Sequence, residues 1–176
     1  DLAAKAGAGM LVIERASKEA GKWLEELKNN EEAQDVLLVD DSGQAYRDIA
    51  RGFRTTLDAS VIGVTGSVGK TTTRRMICQM IESQVKSQQS AKNYNNQVGL
   101  PRTILATDME TEALVAELGM ARKGEIRILS EISLPDISVI THIGMSHAQY
   151  LGTITDILEE KTSIISGMKG NGLLIL

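Results

Sequence analysis

The chain has 176 residues, of which 42% are hydrophobic and only 3% aromatic, so it can form one domain, or one and part of another, around an aliphatic core. The net charge of −4 argues against a nucleic-acid-binding surface, and no apolar run approaches the roughly 18 to 20 residues of a membrane helix. The single Cys78 excludes an internal disulfide. With no signal peptide visible, we expect a cytoplasmic protein.

Strands and helices alternate in the first third of the chain. Apolar runs at Leu11–Ile13 and Val36–Val39 predict short strands, and each is followed by apolar residues at helical spacing. The second of these helices can be capped by Asp41 or Ser42, and its stripe is Ala45, Ile49, Ala50, Phe53 and Leu57. The alternation predicts parallel βαβ units, so we interpret residues 1–58 as the tail of one α/β domain and 59–176 as part of the next.

Both ends of the sequence favour a fragment of a longer protein. The chain begins with Asp1 inside an alanine-rich, helix-like pattern, and the apolar strand signal Leu173–Leu176 stops without a turn. We therefore expect the first domain to lack its start and the second domain to lack its end.

The most informative stretch is VIGVTGSVGKTTT, at positions 61 to 73. A buried strand, a glycine turn and a helix aim backbone N–H groups at one point, which suits a polyphosphate. The general phosphate-loop pattern has a glycine where Val64 stands, so this is a shorter variant, and an ordinary glycine-rich turn is the alternative. The predicted nucleotide-binding residues are Gly66, Ser67, Val68, Gly69, Lys70, Thr71 and Thr72. Lys70 would reach the terminal phosphates, and the Thr71 hydroxyl would bind Mg²⁺.

The rest of the chain continues the α/β pattern. The helix after the loop is predicted to bury Met76, Ile77, Met80 and Ile81, and residues 85–97 are predicted to form a loop. Further strands are expected at Ala113–Ala116 and Ile137–Ile140, with helices at Glu125–Ile132 and Thr153–Met168.

Two residues follow predicted strands at the edge where ligands gather in parallel sheets. Glu117 follows Ala113–Ala116. Taken alone it would be interpreted as a solvated glutamate at a strand end, but beside a phosphate loop the role of magnesium ligand is favoured. His147 follows Ile137–Ile140 and is a candidate for the same site, whereas His142 is expected to be a surface residue.

Asn95, Asn96 and Lys161 complete the candidate residues. The two asparagines suit either turn geometry or a polar substrate. Lys161 lies at the centre of the apolar stripe Ile154, Ile157, Leu158, Ile164, Ile165 and Met168. A lysine buried there should have a lowered pKa and a function, unless its amine reaches solvent along the helix surface.

The segments TGSVGKTTT, NYNNQVGLP, AELGMARKGEI and VITHIGMSHAQYLGT, followed by Lys161, resemble the Mur ligases over nearly the whole chain. The resemblance implies an α/β fold with a mostly parallel sheet flanked by helices. It also implies that residues 1–58 end an N-terminal UDP-substrate-binding domain, that 59–176 begin the central ATP-binding domain, and that a C-terminal acceptor domain lies outside the chain. The fragment alone would then be inactive.

The resemblance also implies roles for the candidate residues. Lys70 would bind phosphate, Thr71 and Glu117 would bind Mg²⁺, His147 would bind a second Mg²⁺, and Lys161 would carry a carbamate and take part in catalysis with Lys70 and His147. Asn95 and Asn96 would belong to the substrate-side loop. Two positions depart from the family pattern: asparagine is usual where His142 stands, and glutamate where Ser163 stands.

The implied activity is ATP-dependent amide-bond formation in peptidoglycan precursor synthesis. Its substrates would be UDP-N-acetylmuramoyl-tripeptide and D-Ala-D-Ala, joined through an acyl phosphate by an enzyme that is monomeric at full length. Another Mur-type or folylpolyglutamate-type ligase is the alternative. A P-loop small-molecule kinase or GTPase is less favoured, and the sequence has no Asn-Lys-x-Asp motif of the kind that a GTPase would normally show.

Overall fold

The structure is a computed structural model that describes residues 7–28, 35–91, 93–145 and 152–176. The chain divides into two compact units, residues 1–46 and 47–176, and each is described by itself. No helix in the described ranges is both long enough and apolar enough to cross a membrane.

The first unit contains a two-stranded parallel sheet and a helix. Strand β1 (Met10–Glu14) pairs with β2 (Asp35–Val39), and helix α1 (Ala20–Lys28) connects them. Alternate residues of β1 face the helix, so the small core consists of Leu11, Ile13 and Ala20, with Ala8, Trp23, Val36 and Leu38 packed against it. The predicted strands and helix of this region are confirmed.

The second unit is built on a five-stranded, wholly parallel sheet with the order β4-β5-β3-β6-β7. Its strands are β3 (Ser60–Thr65), β4 (Ser87–Gln89), β5 (Ala113–Glu117), β6 (Ile137–Ile140) and β7 (Leu173–Ile175). Its helices are α3 (Lys70–Ile81), α4 (Gly99–Leu105), α5 (Glu125–Ser133) and α6 (Ile154–Thr162), and a 3₁₀ helix (Ser163–Gly167) follows α6. Helix α2 (Ser42–Arg54) spans the division between the units.

Helices cover both faces of the central strands. On one face α3 packs through Cys78, Ile77 and Ile81 against Val64 and Val115. On the other face a larger cluster includes Val61, Leu114 and Ala116 from the strands and Ile126, Leu129 and Ile132 from α5. The alternation of side chains along β3 and β5 divides them between the two clusters, as expected for strands buried on both faces. The predicted α/β class is confirmed.

The buried face of α3 differs from the prediction. Met76 and Met80 are 57% and 71% exposed, so their assignment to the core is wrong. The helix instead packs through positions 74, 77, 78 and 81, a spacing of three and four residues. Arg74 and Cys78 are its buried residues. The buried face was predicted from apolar residues alone, and a buried arginine is invisible to that criterion.

Two predictions about the later elements are also corrected. Residues 85–97 are not entirely loop, because they contain the edge strand β4, whose polar sequence Ser-Gln-Gln shows no hydrophobic alternation. The last helix is α-helical only to Thr162 and continues as the 3₁₀ helix. Of the predicted stripe, Leu158 and Ile165 are about half exposed, while Ile157 and Ile164 are fully buried.

Candidate nucleotide and metal site

The phosphate loop connects β3 to α3 at the carboxyl edge of the sheet. Gly69 has a φ of +86°, a conformation that favours glycine, and it precedes the first helical residue, Lys70. The first N–H groups of α3 have no carbonyl partner within the helix and can bind an anion. Lys70 Nζ donates to the Gly66 carbonyl at 2.8 Å, so the ammonium lies back over the loop.

A second loop, residues 141–145, holds the phosphate loop in place. Thr141 Oγ1 donates to the Val68 carbonyl at 2.6 Å, and a Cβ on Gly66 would overlap that hydroxyl. Ser67 Oγ donates to the Gly144 carbonyl at 2.9 Å and accepts from its N–H at 3.0 Å. The His142 carbonyl accepts the Ser67 N–H at 2.8 Å, so the histidine backbone belongs to this support.

Glu117, the last residue of β5, is held by side chains from two neighbouring segments. Its Oε2 accepts the Thr71 hydroxyl at 2.8 Å, and its Oε1 accepts the Asn95 amide at 2.9 Å. The side chain is almost fully buried, so the interpretation of Glu117 as a solvated glutamate is wrong. The structure therefore brings together Thr71 and Glu117, the two side chains predicted to bind Mg²⁺ beside the phosphate loop.

Arg74 is a buried residue of this site that the sequence analysis missed. Its Nε lies 3.7 Å from Glu117 Oε2. Burial lowers the pKa of the guanidinium, and the nearby Glu117 carboxylate opposes that effect. The signal was present in the sequence, since Arg74 is four residues after Lys70 and therefore lies on the same face of α3.

Lys161 is 1% exposed, so its predicted burial is confirmed and the alternative of an amine in solvent is wrong. Its pKa is lowered to about 8, first by burial and then by the positive charge of Lys70, while Glu160 acts in the opposite direction. The positive charge of Lys70 therefore acts on the Lys161 amine.

Glu160 is a second residue that the sequence analysis missed. Its carboxylate accepts the N–H groups of Gly124 at 2.6 Å and Ile126 at 2.9 Å. These groups lie at the N-terminus of α5, where a negative charge is favourable. Glu160 therefore fixes the start of α5, next to residues 119–121, which line the site.

Asn95 and Asn96 have different environments. Asn96 Oδ1 accepts the N–H groups of Val98 and Gly99, so this side chain forms the turn that leads into α4. Asn95 contacts Glu117 and also lines a cavity of about 370 Å³. The residues around this cavity are Lys70, Asn95, Asn96, Gly119, Met120, Ala121 and Glu125. Turn geometry is thus shown for Asn96, and substrate contact stays a prediction for both.

His147 lies outside the described residues, so its predicted place at the site stays a prediction. Within the described ranges, no three histidine, cysteine or carboxylate side chains cluster as a metal site. The pair Thr71 and Glu117 is the part of the predicted metal site that the structure places.

The family model for the Mur ligase middle domain matches residues 64–176. The chain belongs to the Mur ligase family. A curated relative, the UDP-N-acetylmuramoyl-tripeptide–D-alanyl-D-alanine ligase of Bacillus subtilis (strain 168), is 45% identical over 153 residues, which cover 87% of this chain and 34% of the relative. This Mur ligase chain therefore spans about a third of that relative's length.

Solved structures agree with the family assignment. The MurF ligase of Thermotoga maritima in complex with ADP superposes with a TM-score of 0.82 at 30% identity, covering 98% of this chain and 37% of that one. The UDP-N-acetylmuramoylalanyl-D-glutamyl-2,6-diaminopimelate–D-alanyl-D-alanyl ligase of Acinetobacter baumannii gives 0.78 at 25% identity, with coverages of 95% and 40%.

Proposed function

We propose that this chain carries the ATP-binding site of a ligase that joins D-Ala-D-Ala to UDP-N-acetylmuramoyl-tripeptide through an acyl phosphate in the cytoplasm. The observation that carries the proposal is the 2.8 Å contact between Thr71 and Glu117, which lies at the end of a phosphate loop beside Lys70 and buried Lys161. The names of the Bacillus subtilis and Acinetobacter baumannii relatives support the choice of substrates.

The residues present fit a magnesium ion. Thr71 Oγ1 and Glu117 Oε2 are 2.8 Å apart, near the roughly 3.0 Å between adjacent ligands at octahedral metal–oxygen distances of about 2.1 Å. Both are oxygen donors, which Mg²⁺ prefers. Bound there with ATP, Mg²⁺ would neutralise charge on the transferred phosphoryl group.

The side chains of this chain then have distinct tasks. Lys70 leaves the Gly66 carbonyl and binds the terminal phosphates, offsetting charge as the substrate carboxylate attacks the γ-phosphate and ADP departs. The resulting acyl phosphate is attacked by the amine of D-Ala-D-Ala. The bond between the acyl carbon and the phosphate oxygen breaks, so inorganic phosphate leaves. The amide forms as the amine loses a proton.

Lys161 is proposed to carry a carbamate. With a pKa of about 8, roughly a tenth of its amine is neutral at pH 7, and the neutral amine is the form that reacts with carbon dioxide. The carbamate would turn a buried cation into an anion beside Lys70. We propose that it binds a second Mg²⁺ together with His147.

The domain assignment is part of the same proposal. Residues 1–58 would belong to a UDP-substrate-binding domain and 59–176 to the ATP-binding domain, with the dipeptide bound by a third domain. Asn95 and Asn96 would face the peptide substrate, in a full-length enzyme that acts as a monomer.

The decisive experiment compares ATP-dependent phosphate release by the full-length enzyme and its Lys70→Ala variant, with both peptide substrates present. We expect a loss on the order of 10² or more, because Lys70 is the fixed cation of the loop. Lys86→Ala is the control, since Lys86 precedes β4 at the opposite edge of the sheet and pairs with Asp108 and Glu110. Near-wild-type release by Lys70→Ala, or release that does not require D-Ala-D-Ala, contradicts the proposal.

A further inference from the structure

A second cavity, of about 390 Å³, adjoins the one that contains Lys70. It is lined by Asn93, Tyr94, Asn96, Val98, Gly99 and Arg102, and Asn96 lines both cavities. None of the roles considered above uses Tyr94 or Arg102.

Arg102 is the cation of this second cavity. Its guanidinium lies over the Tyr94 ring, 5.1 Å from the centroid, so stacking limits its freedom. Within the part of the chain that the structure describes, no carboxylate forms an ion pair with it. Because Arg102 is exposed, the cavity presents an accessible positive charge that the tyrosine ring helps to orient.

The loop that carries Tyr94 packs closely against the start of α4. A Cβ on Gly99 would lie 2.5 Å from Tyr94 Cα, so the glycine allows the loop to pack directly on the start of α4. Asn96 fixes the same turn through its bonds to Val98 and Gly99. Tyr94 and Arg102 are thus positioned before any ligand binds.

We propose that this second cavity binds the side chain of the third residue of the substrate peptide and selects one that ends in a carboxylate. The inference rests on the proposed function, in which the α-carboxylate of that residue reacts beside Lys70. Its side chain begins one carbon away and can reach the adjoining cavity, because the two cavities share Asn96.

The cavity suits a side chain that ends in both a carboxylate and an ammonium, as 2,6-diaminopimelate does. Arg102 can donate two parallel hydrogen bonds to the carboxylate. The Asn93 amide, which has no hydrogen bond to the other described residues, offers an acceptor to the ammonium. A lysine side chain would place only an ammonium next to the guanidinium, where like charges repel.

The test measures KM and kcat of the full-length enzyme with two tripeptide substrates, whose third residue is 2,6-diaminopimelate or lysine. Arg102→Gln should raise the KM for the diaminopimelate substrate about tenfold, because a charge-assisted hydrogen bond is lost. Its kcat should change less than about twofold, and the KM for the lysine substrate should stay the same or fall, because the repulsion between the lysine ammonium and the guanidinium is removed. Lys86→Gln removes one positive charge at the far edge of the sheet and should change neither KM.

Tyr94→Leu provides a second, independent variant, because it frees Arg102 without removing its charge. We expect a smaller rise in KM, again confined to the diaminopimelate substrate. Equal changes with both substrates, no change, or a change only in the KM for ATP would overturn the inference while leaving the ligase function intact. Absence of product from the wild-type enzyme with either tripeptide would instead refute the proposed function.

Discussion

Arg54 Nη2 lies 3.1 Å from Asp136 Oδ2, and this ion pair joins the end of α2 to the start of β6. The guanidinium is 2% exposed and also donates to the carbonyls of Ser133, Leu57 and Leu134. Asp136 in turn accepts the N–H of Val61, the second residue of β3. One buried arginine therefore connects α2, the α5–β6 turn and, through Asp136, the strand that leads to the phosphate loop.

Arg54→Met should lower the free energy of unfolding by about 2 to 4 kcal/mol, because it leaves several buried acceptors without a donor. Arg51→Met is the matched control, since Arg51 is an exposed arginine in the last turn of the same helix, and its replacement should cost less than about 0.5 kcal/mol. Urea unfolding followed by circular dichroism measures both. Equal midpoints for the two variants would show that the Arg54 network contributes nothing.

The carboxyl group of Asp136 should make the free energy of unfolding depend on pH. Burial alone would raise the pKa of its carboxyl group, but hydrogen bonds from Lys169 and Val61, with the charges of Lys169 and Arg54, outweigh burial and lower it. The folded state then binds fewer protons than the unfolded state, so this stabilisation is present above the ordinary carboxyl pKa and is lost as pH falls through the lowered value.

The corresponding experiment compares unfolding of wild type and Asp136→Asn at pH 7 and near pH 3. We expect the wild type to lose more stability than the variant between these two pH values, because asparagine has no proton to gain. An identical loss in both proteins would exclude Asp136 as a source of the acid sensitivity.

The sequence predicted the elements that have strong local signals. Leu114 to Ala116 and Val61 to Val64 are continuous apolar strands. The glycines before Lys70 have the spacing of a phosphate loop. The errors arose where tertiary contacts override local pattern. Strand β4 exists because its backbone pairs with β5, and its polar side chains gave no warning.

The site shows the same division. Lys70, Thr71 and Glu117 could be predicted because each follows a strand or occupies a recognisable motif. Arg74 and Glu160 were missed: the spacing from Lys70 indicates only the helix face of Arg74, and the partners that bury these two side chains, at Glu117 and Gly124, are far away in sequence. Lys161 was recognised because its own helix neighbours are apolar, whereas the burial of Arg74 and Glu160 depends on those distant partners.

Gly167 is predicted to be intolerant of any side chain. A Cβ there would overlap the Ser130 carbonyl, where the 3₁₀ helix packs on α5, and the Gly167 N–H donates to Ser130 Oγ at 3.0 Å. Gly167→Ala should therefore destabilise the protein by roughly 2 kcal/mol or more. Gly52→Ala is the control, because Gly52 lies in α2 with open space around its Cα, and alanine should stabilise that helix by about 0.5 to 1 kcal/mol. Thermal unfolding should shift in opposite directions for the two variants.

Glu117→Gln tests the magnesium site. The amide keeps the size of the side chain but removes the charge, so the Mg²⁺ concentration for half-maximal activity of the full-length enzyme should rise about tenfold or more. Glu112→Gln is the matched control, since Glu112 is exposed and lies at the other end of the same strand. An unchanged magnesium requirement in Glu117→Gln would remove this residue from the metal site.

Lys161 is buried, and burial together with the charge of Lys70 lowers its pKa, so its neutral amine can form the carbamate proposed above. Lys161→Ala should reduce turnover of the full-length enzyme by on the order of 10² while leaving its folding largely intact, because a buried cation contributes little net stability. Lys123→Ala, which removes an exposed lysine paired with Asp156 and Glu159, should keep full turnover.

Added acetate should partly restore the Lys161→Ala variant, because a short carboxylate can occupy the space of the missing carbamate and supply the same oxygen pair. It should not affect Lys70→Ala, whose defect is the loss of a phosphate-binding cation. Wild-type turnover should also fall when carbon dioxide and bicarbonate are removed, since the neutral amine then has nothing with which to react. Full activity of Lys161→Ala at limiting bicarbonate and Mg²⁺ would show that the lysine acts only as a buried helix residue.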